Sequence, residues 1–305
     1  MYRNIVALLV LTAVTLTAPS DVSAQQKFDA VTLLSHVREL ASDEYGGREA
    51  GTAGNEAART YIAADFEESG LAAFEGGYIS SFEAGKNVIG FVGGTSSPDQ
   101  YIVMTAHFDH LGKRDGKIFN GADDNASGTA ALLIAAAYFK KHPLSHSIIF
   151  AALDAEEKGL LGAKAFVKNP PVNAANIGLN INMDMISHND KDELYAVGTY
   201  HYPFLKPYLE TVGASADIKL MFGHDVPGTG HDDWTSASDH GPFHRQWKLP
   251  FVYFGVEDHE DYHKHTDEYN KIEPAFYIQA VDTILDAVIE LDKNLEAIVK
   301  ATPER

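Results

Sequence analysis

Residues 101–128 read YIVMTAHFDHLGKRDGKIFNGADDNASG. The uninterrupted apolar run Tyr101–Met104 has the pattern of a buried β-strand. Successive side chains of a strand alternate, so His107 and Asp109 emerge on one side of its carboxyl end. Open α/β sheets place their ligand sites at that end. Asp123-Asp124-Asn125 begins 16 residues after His107 and forms a small-residue turn. Ser127-Gly128 then opens an alanine-rich helical pattern that runs to about Lys141. The turn brings a carboxylate back beside the imidazole. Neutral imidazole and carboxylate are donors for a divalent metal such as zinc. Asp109 is placed to take the second ring N–H of His107 or of a neighbour. Taken alone, a histidine after a strand is more often a satisfied core or surface residue, so the metal reading rests on the remainder of the chain.

That remainder alternates strands with helices. Strand patterns cover Asn87–Gly94 and Tyr101–Ala106, with the turn-rich 93–99 between them, then Ser147–Leu153, Ile177–Ile186 and Leu249–Phe254. Less regular signals place strands at Glu193–Gly198 and Ile218–Phe222 and a helix near Phe204–Gly213. Gly159–Lys168 reads as a short helix, and Pro274 to about Val299 as a long closing one with Pro274 in its first turn. Asp29–Leu71 reads as two packing helices split by Ser42–Arg48 and Gly51–Gly54, with Leu33, Leu34, Val37 and Leu40 on one stripe and Ala57, Ala58, Tyr61, Ile62 and Phe66 on the other. Strands that are nearly all apolar and separated by helices predict one three-layer α/β/α domain around a mostly parallel mixed sheet. The stretch 223–246, rich in Gly, His and Asp, is too long for a plain connector and is expected to line a site.

Composition bounds the function. With 45% hydrophobic residues in 305, the chain can bury a substantial core. Its 24 basic against 43 acidic residues, a net charge of −19, argue against nucleic acid or an anionic membrane surface as a partner. There is no cysteine, hence no disulfide, no zinc–thiolate site and no lipobox. Arg3, the uncharged Ile5–Ala18 and the small-residue Val22-Ser-Ala24 read as a signal peptide removed after Ala24, leaving residues 25–305 as the catalytic domain and a periplasmic or secreted product without stable membrane association.

Four strand ends or adjoining loops carry ligand-type residues: His107, Asp124, the pair Glu156-Glu157, and Asp184. Tyr262-His263 follows the last strand. Carboxylates are costly at the ends of buried strands unless cations neutralise them. Two zinc ions would be balanced by Asp124, Glu157, Asp184 and a bridging hydroxide.

HFDH (107–110), GADDNASG (121–128), DAEEKGLLG (154–162), NMDMI (182–186) and YHKHTDEYNKI (262–272) resemble, in order, the motifs of the co-catalytic dizinc aminopeptidases of the bacterial leucyl aminopeptidase type. Wider relatives of that family include glutamate carboxypeptidase, glutaminyl cyclase and the transferrin receptor. The leader 41–71, ASDEYGGREAGTAGNEAARTYIAADFEESGL, is similar too, so the resemblance spans roughly residues 35 to 290. It implies that Asp124 bridges two Zn2+, that His107 and Asp184 complete one site, and that Glu157 and His263 complete the other. It further implies a cis peptide after Asp124, Glu156 as general base and Tyr262 as donor to the oxyanion, with Asp123 a structural neighbour. His263 is preferred to His265 because Asp267 follows it by four residues, although Lys264-His265 stands where the family usually has threonine and proline.

The segment Ser236–Phe243 resembles the family's substrate-pocket loop, which makes Asp239 and His240 expected substrate-binding residues and His231 and His244 cleft candidates. Phe243, Trp247 and Phe254 read equally as pocket walls or core, and His110 as a residue that fixes its loop. The resemblance implies a zinc aminopeptidase acting on peptides, and the signal-peptide pattern implies that it is exported. Glutaminyl cyclase, a carboxypeptidase or dipeptidase using Arg245 or Lys248, and a metal-free binding module are the alternatives.

Overall fold

In the computed structural model, which describes residues 27–303, the apolar run at position 101 is the inner part of an eleven-residue strand, Ser97–His107. In chain order the strands are β1 (Ala72–Ala73), β2 (Ile79–Phe82), β3 (Gly85–Val92), β4 (Ser97–His107), β5 (Gly112–Arg114), β6 (Lys117–Phe119), β7 (His146–Leu153), β8 (Ile177–Met183), β9 (Glu193–Val197), β10 (Lys219–Met221) and β11 (Phe251–Gly255). The helices are α1 (Ala30–Leu40), α2 (Ala53–Glu68), α3 (Gly128–Lys141), α4 (Leu161–Lys168), α5 (Lys206–Gly213), α6 (His240–Trp247), α7 (Pro274–Lys293) and α8 (Leu295–Ala301).

The main sheet runs β1-β3-β7-β4-β8-β11-β9-β10, with β2 also paired to β3. Its centre, β7-β4-β8-β11, is parallel. The flanks are less uniform than the sequence pattern suggested: β1, β2 and β3 add antiparallel pairings on one side, and β9 pairs antiparallel with β11 on the other. Parallel strands need crossovers, and the crossover helices cover both faces. Alternation sorts the side chains between two cores: Ile148, Phe150 and Ala152 of β7 pack with α1, α2, α3 and α7 on one face, while Ile149, Ala151 and Leu153 meet Ala163, Phe166 and Phe243 of α4 and α6 on the other. Three layers result.

Local chemistry fixes the helix ends. The Asp29 carboxylate accepts from the N–H groups of Val31 (3.1 Å) and Thr32 (3.2 Å) to cap α1, and Thr52 Oγ1 accepts from Asn55 N–H (3.3 Å) to cap α2. The closing helix is two helices. At Asn294 the backbone leaves the α region and the side chain donates to Glu290 O at 2.8 Å, which ends α7 before α8 begins. The stretch 223–246 is not a loop throughout, because α6 starts at His240. The short β1 and β2 and the β5-β6 hairpin carry no apolar run and left no signal in the pattern. Among the described residues no helix is long and apolar enough to cross a membrane. The signal-peptide reading lies outside the described residues.

Candidate metal centre

Each parallel strand delivers one piece of a cluster at its carboxyl end. β4 ends on His107, β7 leads into Glu156-Glu157, β8 is followed by Asp184, and the loop after β11 carries Tyr262 and His263. The turn 122–127 between β6 and α3 presents Asp124, and the peptide bond from Asp124 to Asn125 is cis. Positive φ angles at Ala155, Met185 and His263, residues without glycine's freedom, coincide with the points where the chain turns a side chain into this rim.

Asp124 faces two groups with its two oxygens. Its Oδ1 lies 3.5 Å from His107 Nε2, which is 3.2 Å from Asp184 Oδ1. Its Oδ2 lies 3.2 Å from His263 Nε2, which is 3.4 Å from Glu157 Oε2. The five residues named as ligands from the sequence therefore converge.

Backbone donors hold these loops. Asp109 meets His107 Nδ1 twice, with its backbone carbonyl at 3.1 Å and its carboxylate Oδ1 at 3.7 Å. Its carboxylate accepts from the N–H groups of Glu156 (2.9 Å) and Glu157 (3.3 Å), so it sets the glutamate pair. Asp267 accepts from Asp123 N–H (2.9 Å) and Asp124 N–H (3.0 Å). Asp123 accepts from Ser187 N–H and Oγ–H, and its other oxygen is 3.0 Å from His259 Nε2. Fully buried Arg48 donates to the carbonyls of Leu40, Phe108, Asn120 and Gly121, tying the Gly-Gly-Arg turn to the loops on either side of the cluster.

The electrostatics are those of a site short of positive charge. Burial raises the carboxyl pKa of Asp124 and Glu157 and lifts Glu156 well above the usual range. Burial also raises Asp239, to about 8. Burial works against charge on His107, but the neighbouring Asp184 and Glu156 outweigh it and raise its pKa well above the ordinary value. The same contact keeps Asp184 below the carboxylate norm against its burial. Arg48, the guanidinium these carboxylates feel, is already committed to carbonyls. Imidazole and carboxylate donors, buried and lacking a counter-charge, are a set that fits zinc.

The cleft above the cluster encloses about 340 Å³ and is walled by Leu160, Met185, Trp234, Tyr253, Val256 and Tyr262. Trp234 was not evident in the sequence. It lies in a stretch without periodicity, where a large ring among Gly, His and Asp was the available signal, and it is pinned by a parallel stack on His224 at 3.8 Å. Burial raises the Tyr262 hydroxyl above its usual range, so it remains a donor.

Several expected cleft residues lie elsewhere. Asp239 and His240 are buried behind the wall rather than lining it: His240 stacks on Tyr253 and places Nε2 2.9 Å from Trp234 O. The start of α6 at this point turns both side chains inward. Phe243 packs on Phe166 in the second core, Phe254 is buried in β11, and neither they nor Trp247 line the cleft. His244 meets the Tyr202 hydroxyl and His265 meets Lys117 Nζ, each away from the cluster, and His231 lies outside the cleft as well. His188, His259 and Asp261 also gather, but Lys271 Nζ stands 3.2 Å from Asp261 and Asp123 holds His259.

A family model described as peptidase family M28 matches residues 87–288. Leupeptin-inactivating enzyme 1 of Streptomyces exfoliatus is 30% identical over 240 residues, which is 75% of this chain and 50% of that protein. The chain spans half or less of the length of the curated relatives it matches. Among solved structures, BSAP, a zinc aminopeptidase from Bacillus subtilis, has a TM-score of 0.70 at 18% identity, covering 87% of this chain and 96% of that one. Porphyromonas gingivalis glutaminyl cyclase has a TM-score of 0.69 at 18% identity, covering 86% and 98%. At such identities these two structures share the fold.

Proposed function

The chain belongs to peptidase family M28, and on that premise we propose that it is an exported zinc aminopeptidase that removes the first residue of a peptide. The observation that carries the reading is Asp124 presenting one oxygen to His107 and Asp184 and the other to His263 and Glu157, with Glu156 beside them in no such contact. Those five side chains would hold two zinc ions. Zinc bound there supplies Lewis acidity, polarising the scissile carbonyl and lowering the proton affinity of water.

The chain's own groups do the rest. The Glu156 carboxylate takes a proton from the attacking water as oxygen bonds to the carbonyl carbon, then delivers it to the amine nitrogen as the C–N bond breaks. The Tyr262 hydroxyl donates to the oxygen that gains charge. The carboxylates of the cluster hold the free α-ammonium of the substrate, and the Leu160, Met185, Trp234 and Val256 wall takes an apolar first side chain. No Lys or Arg is among the described residues lining the cleft, and Arg245 and Lys248 lie away from it, which disfavours capture of a peptide's terminal carboxylate. Export rests on the Arg3, Ile5–Ala18 and Val22-Ser-Ala24 pattern.

A panel of aminoacyl, N-blocked and glutaminyl substrates, assayed before chelation, after it and after zinc return, tests this reading. Expected are turnover of free aminoacyl substrates alone, loss on chelation, recovery with zinc, and two zinc per chain by emission spectroscopy. Cyclisation of glutaminyl substrates with one zinc would install the cyclase reading, preference for N-blocked peptides the carboxypeptidase one, and a metal-free inert chain the binding module.

A further inference from the structure

His110 has no part in that scheme. The sequence assigned it the task of fixing a loop, yet its ring does no fixing. It is fully buried, and neither of its nitrogens has a hydrogen-bond partner among the described residues. Its Nδ1 lies 2.8 Å from Glu157 Oε1 and 3.6 Å from Asp124 Oδ2. Glu157 Oε1 likewise lacks a hydrogen bond, so two buried electronegative atoms stand in contact without the geometry of a shared proton. Buried polar atoms in native folds are almost always partnered, and an exception calls for a missing group.

The ring is held in place by its surroundings. A Cβ on Gly121, where φ is +56°, would fall 2.5 Å from His110 Cδ2, so the absence of a side chain there creates the slot. Arg48 secures the carbonyls of Phe108, Asn120 and Gly121 around it. His263 approaches the same two carboxylates from the opposite loop, at 3.2 and 3.4 Å. Donors on one tetrahedral zinc, with bonds of about 2.1 Å, stand roughly 3.4 Å from one another. The contacts of His110 Nδ1 with Asp124 and Glu157 fall on either side of that spacing.

Resting on the two-ion reading above, we propose that His110 is a direct ligand, through Nδ1, of the ion held by Asp124 and Glu157. That ion then has two imidazoles, a buried one on the β4–β5 connection and a half-exposed one, His263, on the loop after β11. The buried one is the permanent ligand, and the chain can keep its second ion when His263 is lost.

The test uses the full chain with 15N-labelled histidine and 113Cd2+ in place of zinc. Expected in the wild type is cadmium–nitrogen coupling at three imidazoles, with the His110 Nδ1 coupling absent from His110→Asn. Two bound ions with coupling at only two imidazoles overturns the proposal. Fewer than two ions on the wild-type chain overturns the two-ion reading beneath it, and the metal count tells the two failures apart. Should His110→Asn fail to fold, the exposed His263→Ala still decides. It is expected to bind two ions, the second more weakly than in the wild type; binding of one ion at saturating cadmium overturns the proposal.

Discussion

The two ends of strand β7 bury carboxylates in opposite ways. At its amino end Asp292, from helix α7, accepts from the N–H groups of His146 (3.0 Å) and Ser145 (3.1 Å) and touches His146 Nδ1 at 2.9 Å. Every oxygen there has a donor. At its carboxyl end Glu157 Oε1 and both oxygens of nearby Asp239 have none, and burial pushes Glu156, Glu157 and Asp239 toward protonation. A buried charge costs several kcal/mol unless something compensates it. Where backbone N–H groups compensate, the carboxylate is architecture; where carboxylates face one another without donors, the fold has left room for a cation.

The largest effect expected from this contrast is at Glu156. Glu156→Gln keeps size and burial, removes the proton acceptor, and is expected to lower kcat about 10³-fold, within the ~10²–10⁴ typical of positioned acid–base groups. Zinc content should be unchanged, because Glu156 is not among the donors around Asp124. Steady-state rates on an aminoacyl substrate, with metal analysis of the same preparation, measure both. Full activity would mean that the carboxyl end of β7 holds ions without doing proton chemistry.

At the other end, Asp292→Ala is expected to lower stability by roughly 3 kcal/mol, since it strands buried donors that each cost about 1–3 kcal/mol when unpaired. A shift in the urea midpoint with unchanged zinc stoichiometry keeps the two ends independent. If Asp292→Ala strips zinc, the contrast between them fails.

What the sequence revealed follows the same division. Strand ends were legible because apolar runs such as Ile148–Leu153 mark buried strands and alternation aims the next polar residues at one rim. Hence His107, Asp124, the pair Glu156-Glu157, Asp184 and Tyr262-His263 stood out as strand-end residues; the family resemblance then singled out Glu157 and His263, and the five are found together. Once a strand ends, alternation ends too, and nothing in HFDH dictates that Asp109 sends its carboxylate to the Glu156 and Glu157 amides while His110 turns into the cluster. Helix α6 was missed because Gly241 and Pro242 near its start read as loop, although proline is tolerated in a helix's first turn. That one miss misplaced Asp239 and His240. Trp234 stood in a stretch with no period to read.

A third imidazole–carboxylate contact, remote from both ends of β7, gives the finest test. His36 Nε2 lies 3.6 Å from Asp65 Oδ2, between α1 and α2. Burial lowers the His36 pKa from 6.5 to about 4 and raises that of Asp65 from 3.8 to about 6. Between pH 4 and 6.5 the unfolded chain binds a proton at His36 that the folded chain does not, so this residue costs stability as pH falls. Between pH 3.8 and 6 the folded chain binds a proton at Asp65 that the unfolded chain does not, so this one adds stability as pH falls. The two effects nearly cancel in the wild type. Asp65→Asn removes the second, and its stability should fall relative to wild type by about 1–2 kcal/mol between pH 6 and pH 4, below the ceiling of about 1.4 kcal/mol per pH unit for one proton. Urea unfolding of both proteins across that range gives the difference, in which the pH dependence of the shared zinc site cancels. Parallel curves would mean that burial does not hold His36 and Asp65 neutral between pH 4 and pH 6.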